Sequence, residues 1–280
     1  MKNRIISILI GIFLVAGIGL LLYPTIGEYI NSRKSSQAIS MYNEVYQNTE
    51  KDLRQNMLLE AEQYNSRLCG AADPLINTTS VPGYNKLLDL TGTGIMGYID
   101  IDKIGVELPI YHGVDNGVLQ LGIGHLEGSS LPVGGENTHC VLSGHRGLPN
   151  AKLFTDLDEL KAGDTFTITV LDRVMTYEVD QVKIVLPEET DDLLIEQGKD
   201  YCTLVTCTPY GINTHRLLVR GVRVDGDEHK APGIFVSNEA FRIDTIIVST
   251  AIAVPLFVLV VVITMIVTRR LNRHEKNKKT

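Results

Sequence analysis

The chain has 280 residues, of which 44% are hydrophobic, and carries a formal net charge of −7. Its mean hydropathy is +0.07, which excludes a disordered or fibrous chain. Charge is unevenly spread: residues 29–243 hold 18 basic and 30 acidic side chains, a net −12 that excludes a nucleic-acid-binding surface.

In chain order, the first element is an uncharged apolar run of 19 residues, Ile5–Tyr23, and the last is one of 22, Ile246–Val267. As helices they would measure roughly 28 and 33 Å, the thickness of a bilayer's hydrocarbon core. Lys2 and Arg4 precede the first; Arg269, Arg270, Arg273, Lys276, Lys278 and Lys279 follow the second. The positive-inside bias predicts two transmembrane helices (5–23 and 245–268), a four-residue cytoplasmic tip and a basic cytoplasmic tail from 269 to 280. The domain between them then lies outside the cell membrane. A cleaved signal peptide is the alternative for the first run, but no small-residue cleavage site follows Tyr23.

Residues 36–68 contain no Gly or Pro and space Ile39, Tyr42, Val45, Tyr46 and Leu53 at mostly helical intervals, so residues 24–68 are expected to be membrane-proximal and helical. Residues 69–94 are punctuated by Gly70, Asp73-Pro74, Pro82-Gly83, Gly92 and Gly94. They read as a loop of the length used for lids. From 95 to 228 the texture is β. Strands are predicted at 95–101, 105–111, 139–143, 165–171, 175–185, 203–207 and 216–224, with a hairpin around Leu171-Asp172-Arg173-Val174 and one short helix over Ala151–Lys161. The fold class is mainly β, a barrel or sandwich, followed by a linker over 229–244.

Four cysteines stand at 69, 140, 202 and 207. Strand alternation puts Cys207 and Cys202 on opposite faces, with Cys207 at an exposed strand mouth before the turn-forming Pro209-Tyr210-Gly211, where a nucleophile would sit. His145 follows the apolar run Cys140-Val141-Leu142-Ser143 and opens a loop in the same manner. Each strand carries a second cysteine five residues earlier, Cys140 and Cys202. If these strands are parallel neighbours, the two thiols form a buried pair, as packing or as a disulfide. Neither a cofactor nor a metal is expected, because short ligand spacings such as C-x-x-C are lacking, and the acidic group Glu188, Glu189, Asp191, Asp192 reads as a solvated turn.

The stretch Thr203–Gly221, beginning Thr203-Leu204-Val205-Thr206-Cys207 and containing His215-Arg216, resembles the cysteine segment of class C sortases, the pilin-polymerising transpeptidases of Gram-positive bacteria. The blocks Gly124–Gly135 and Leu142–Gly147 are similar to that family as well. The resemblance implies a closed sortase-type β-barrel of seven or eight strands. It also implies Cys207 as nucleophile, His145 as general acid/base and Arg216 as the cation facing the oxyanion. His215 is set aside, because successive strand residues face opposite ways; His125 is expected to be structural, Arg146 a solvated loop residue, and Arg220 and Arg223 surface charges. The implied substrate is an LPxTG-like sorting signal, and the implied acceptor a lysine amine on a pilin subunit. Asp73-Pro74-Leu75 occupies the place of the family's lid, where an acid pairs with the catalytic arginine and an aromatic ring covers the thiol; Leu75 departs from the aromatic. The alternatives are a class A-like sortase that anchors proteins to peptidoglycan, a hydrolytic cysteine protease, and a membrane-tethered binding module without activity.

Overall fold

The computed structural model describes residues 2–78 and 81–224, with five further positions between 254 and 262. Two helices come first. Helix α1 (Lys2–Asn48) has an N-terminal half that is long and apolar enough to cross a membrane, with Ile12, Phe13, Val15, Leu20 and Leu21 all exposed. Residues Ile30–Ser237 form a compact unit of their own. Within it, the last turns of α1 bury Ile39 and Tyr42 against Ile95 and Tyr98, and helix α2 (Lys51–Cys69) buries Leu58, Ala61, Tyr64 and Leu68. The second apolar run, its preceding linker and the basic tail lie outside the described residues, apart from those five positions.

Eight strands follow: β1 (Ile95–Ile101), β2 (Val106–His112), β3 (Ile123–His125), β4 (Thr138–Ser143), β5 (Thr165–Val170), β6 (Arg173–Val185), β7 (Asp200–Thr208) and β8 (His215–Arg223). They close into a barrel in the order β1-β2-β3-β4-β7-β8-β6-β5. Two pairings, β2 with β3 and β4 with β7, are parallel, and the rest are antiparallel. Closure leaves few open edges, which is how a small all-β domain satisfies its backbone. Ile99, Ile101, Ile110, Leu142, Ile168, Val170, Leu204 and Val219 fill the interior at no more than 1% exposure, the alternate positions that the strand period of two sends inward.

Three sequence expectations change. β3 was not anticipated, nor the short helix α3 (Asn116–Leu121) before it, which Asp115 caps by accepting from the Gly117 and Val118 amides. Over 151–161 there is no α-helix, only a 3-10 turn at Leu157–Glu159. Leu153, Phe154, Leu157 and Leu160 are buried. Leu153, however, adopts φ 41°, and the Phe154 N–H goes to the His145 carbonyl at 3.1 Å. Finally, the second half of the 69–94 loop is core rather than linker: Val81, Tyr84 and Leu88 are buried. The Tyr84 hydroxyl meets His125 Nδ1 at 2.9 Å and accepts the Gly113 amide at 2.9 Å, so only the stretch from Gly70 to Thr78 has the character of a separate flap.

The predicted hairpin is present, with Val170 opposite Arg173 across Leu171-Asp172. Its tip is tied to the helices: the Tyr42 hydroxyl accepts the Leu171 amide at 2.8 Å, and Asp172 accepts from Tyr46 at 2.8 Å and from Arg54 at 3.1 Å. Burial pushes the Asp172 carboxyl up, but the Arg54 and Tyr46 hydrogen bonds outweigh it and hold the group below its ordinary value.

Candidate active site

The site is assembled where β4 and β7 end and β8 begins. β4 and β7 run parallel with Cys140 opposite Cys202 and Ser143 opposite Val205. One residue further, the Gly144 amide donates to the Val205 carbonyl at 3.0 Å, so the pairing continues beyond β4 and brings His145 level with Cys207. β8 returns antiparallel with Arg216 directly opposite Cys207. Directly paired residues share a face, with Cβ atoms about 4.5–5.5 Å apart. Three chain-distant residues thus meet at one barrel end. Cys207, His145 and Arg216 are all partly exposed.

Arg216 is steered by its own turn, donating through Nη1 to the His215 carbonyl at 3.1 Å and the Asn213 carbonyl at 3.4 Å. His215 sits opposite Thr208 and its Nδ1 meets the Thr214 hydroxyl at 2.9 Å. His215 thus lies one register step from the Cys207–Arg216 pair, on the other face of β8. His125 is fully buried, with Nε2 2.8 Å from the Ser130 carbonyl and Nδ1 on Tyr84. Cys140 and Cys202 are buried free thiols side by side in the core, facing away from Cys207. Cys69 is an exposed free thiol. No grouping of three or more His, Cys, Asp or Glu suited to a metal occurs among the described residues.

Below the polar trio the same face is apolar. Val141, Val205, Leu218, Val185 and Leu193 cluster there, with Leu75 and Leu126 packed over them. The Pro74–Leu75 backbone presses onto Gly128, where a Cβ would lie 2.3 Å from the Pro74 carbonyl oxygen at φ 91°. Only glycine fits that approach. Asp73 behaves differently from the family expectation: its side chain is exposed and forms no ion pair among the described residues, while its carbonyl accepts the Ile76 and Asn77 amides at 3.0 and 2.9 Å. The flap is seated by its leucine rather than by an Asp73–Arg216 pair.

Two arginines also depart from expectation. Arg146 is no solvated loop residue: its side chain is 11% exposed, with Nη1 on the Thr208 hydroxyl at 3.3 Å and Nη2 on Asp158 at 2.5 Å. Arg220 is stacked over the Tyr201 ring at 4.1 Å and forked onto Asp180 at 2.8 and 3.0 Å, so it belongs to a packed ion-pair cluster. Arg223 lies over the Tyr177 ring, its guanidinium carbon 5.8 Å from the centroid. Sequence reasoning also missed Thr206, whose buried hydroxyl donates to the Gly144 carbonyl at 2.8 Å. The available signal was a threonine in step with the inward Cys202 and Leu204, four and two residues before it.

Residues 99–224 match the Sortase domain family. Among curated proteins, sortase D of Bacillus subtilis (strain 168) is 35% identical over 131 residues, covering 46% of this chain and 63% of that protein, so the chain spans somewhat less than two thirds of this relative. Among solved structures, sortase C1 from Streptococcus agalactiae aligns with a TM-score of 0.63 and 48% identity over 68% of this chain and 100% of that one. Sortase C of Clostridium perfringens, solved with the C-terminal cell wall sorting motif, aligns with a TM-score of 0.59 and 46% identity over 69% of this chain and 100% of that one. With its barrel order, its strand-end cysteine and histidine, and a similarity that covers the whole of both of these solved chains, the chain belongs to the sortase family, among its class C members.

Proposed function

We propose that the protein is a cysteine transpeptidase that cleaves an LPxTG-like sorting signal through a thioester at Cys207 and transfers the acyl group to a lysine amine of a pilin subunit. The observation that carries this reading is the register: Cys207 is paired with Arg216 across β7–β8 and level with His145 along β4–β7. The Cys207 sulfur attacks the carbonyl carbon of the signal's threonine, and the tetrahedral oxyanion forms beside the Arg216 guanidinium. His145 protonates the departing glycine amine, leaving the thioester. The acceptor lysine amine then attacks, His145 takes its proton, and the thiolate leaves as the isopeptide bond closes. Each bond broken is balanced by one formed, so no cofactor is required.

The apolar floor under the trio suits the leucine and proline of such a signal, and Leu75 occupies part of it. We therefore read Asp73-Pro74-Leu75 as a lid that must lift before substrate binds. Both termini are assigned to the cytoplasm and the barrel to the outside, on the strength of the apolar ends and their flanking basic residues. A tether at the membrane raises the local concentration of membrane-held donor and acceptor, which favours the amine over water. Intact-mass measurement after incubation with a sorting-signal peptide tests the reading: wild type gains the mass of the acyl fragment, discharged by hydroxylamine, and Cys207→Ala gains nothing. An adduct of equal yield on Cys207→Ala would contradict it.

A further inference from the structure

We infer that Thr206 is a positioning residue: its hydroxyl holds the peptide plane from which His145 projects, and so sets the spacing of the imidazole and the Cys207 thiol. The inference rests on the reading of His145 and Cys207 as the reacting pair. Along β7 the even-numbered residues face inward, and Thr206 is 1% exposed. Valine has the same shape and would suit an apolar core; threonine there is tolerated only with its hydroxyl satisfied. The acceptor is the Gly144 carbonyl at 2.8 Å.

That carbonyl belongs to the peptide bond joining Gly144 to His145, so this hydrogen bond fixes the plane that carries the His145 Cα. The other side of Gly144 is fixed as well, its amide donating to the Val205 carbonyl at 3.0 Å. Consecutive residues of β7, Val205 and Thr206, therefore grip both polar groups of one glycine, and the next residue on each strand is the reacting one. The grip is backed from behind: a Cβ on Gly144 would lie 2.6 Å from Phe154 Cδ2 and 2.7 Å from Ile123 Cδ1. The His145 carbonyl accepts the Phe154 amide at 3.1 Å. Among these hydrogen bonds the Thr206 hydroxyl's is the one made by a side chain, hence the one a substitution can remove while the backbone is kept. Without it, a tilt of about 15° in the Gly144–His145 plane carries the ring nitrogens by about 1 Å, a displacement that can cost ~10²-fold in rate.

The test compares Thr206→Val, Thr206→Ser and His145→Ala in the full-length chain in detergent. Three readouts are taken: kcat and KM on a sorting-signal peptide, the pH dependence of Cys207 alkylation by iodoacetamide followed on its own tryptic peptide, and thermal unfolding. Thr206→Val is expected to lower kcat by about 10- to 100-fold with KM within about threefold, and to move the alkylation profile towards that of His145→Ala. Thr206→Ser, which restores the donor, is expected to keep at least about a third of kcat. A Thr206→Val enzyme with kcat within about threefold of wild type and an unchanged alkylation profile overturns the inference, as does a serine variant as impaired as the valine one. If His145→Ala itself leaves cleavage and alkylation unchanged, the catalytic reading of the pair fails instead, so the two failures are distinguishable.

Discussion

Gly144→Ala tests how tightly the His145 loop is wedged. The added Cβ would stand 2.6 Å from Phe154 Cδ2 and 2.7 Å from Ile123 Cδ1, whereas unstrained carbon atoms sit about 3.5–4.0 Å apart. About 1 Å of room must be found, and neither neighbour can yield freely, since Phe154 and Ile123 are both fully buried. Overpacking of this kind costs about 1–3 kcal/mol, and in a domain of this size the middle of that range lowers Tm by about 4–8 °C. The remaining displacement falls on the loop itself, where about 1 Å at the imidazole predicts a loss of up to ~10²-fold in kcat/KM. Thermal unfolding and peptide cleavage on the same preparation read both numbers. A variant melting within about 1 °C of wild type with kcat/KM within about threefold would refute the wedge.

Other outcomes follow from the same structure. Leu75→Ser should speed alkylation of Cys207 severalfold, and Asp73→Ala should change it less than about twofold, because Leu75 sits in the apolar cluster and Asp73 has no ion pair among the described residues; the reverse ranking would show that an acid–arginine contact holds the lid. Thiol titration should count Cys69 and Cys207 in the native protein and all four cysteines after denaturation without reductant, since Cys140 and Cys202 are buried and free; only two in the denatured protein would establish a Cys140–Cys202 disulfide. Burial pushes Glu107 from 4.5 up to about 7, with Asp100 opposite it on β1 adding to the effect. A carboxyl raised on folding binds its proton more tightly in the native state, so stability should decline as pH rises between 4.5 and about 7. Glu107→Gln should flatten that decline and melt higher than wild type at about pH 8; an unchanged slope across that window would contradict the assignment.

Seven strands were legible as runs of five or more β-type residues bounded by turns; some are buried on both faces, as in Thr138–Ser143, and others alternate, as in Thr165–Val170, where Phe166, Ile168 and Val170 are buried. β3 was not, because Ile123-Gly124-His125 is too short to display a period. The helix expected over 151–161 does not form because backbone bonds there are committed elsewhere, the Phe154 amide to the His145 carbonyl among them, a choice that no local pattern reports. At the candidate site, Cys207 and His145 were visible as residues at the ends of apolar runs, and the parallel register of their strands, with Cys140 opposite Cys202, matches the spacing of those two cysteines. The tethers were hidden. Thr206 and Arg146 act through a carbonyl and through residues such as Asp158 that only the closed barrel brings near. The contact of the Asp73-Pro74-Leu75 stretch was hidden too: Leu75 packs against Val141, Val205 and Leu218, residues that only the closed barrel gathers into one apolar cluster.

The most direct test of the account is to incubate the full-length protein with a purified pilin bearing an LPxTG-like signal and follow covalent products on denaturing gels, with Cys207→Ala in parallel. Wild type should build a ladder of multimers joined by isopeptide bonds to lysine, and Cys207→Ala should leave the monomer untouched. Release of free pilin acid alone, or a ladder that persists in Cys207→Ala, would contradict a Cys207-borne transpeptidase.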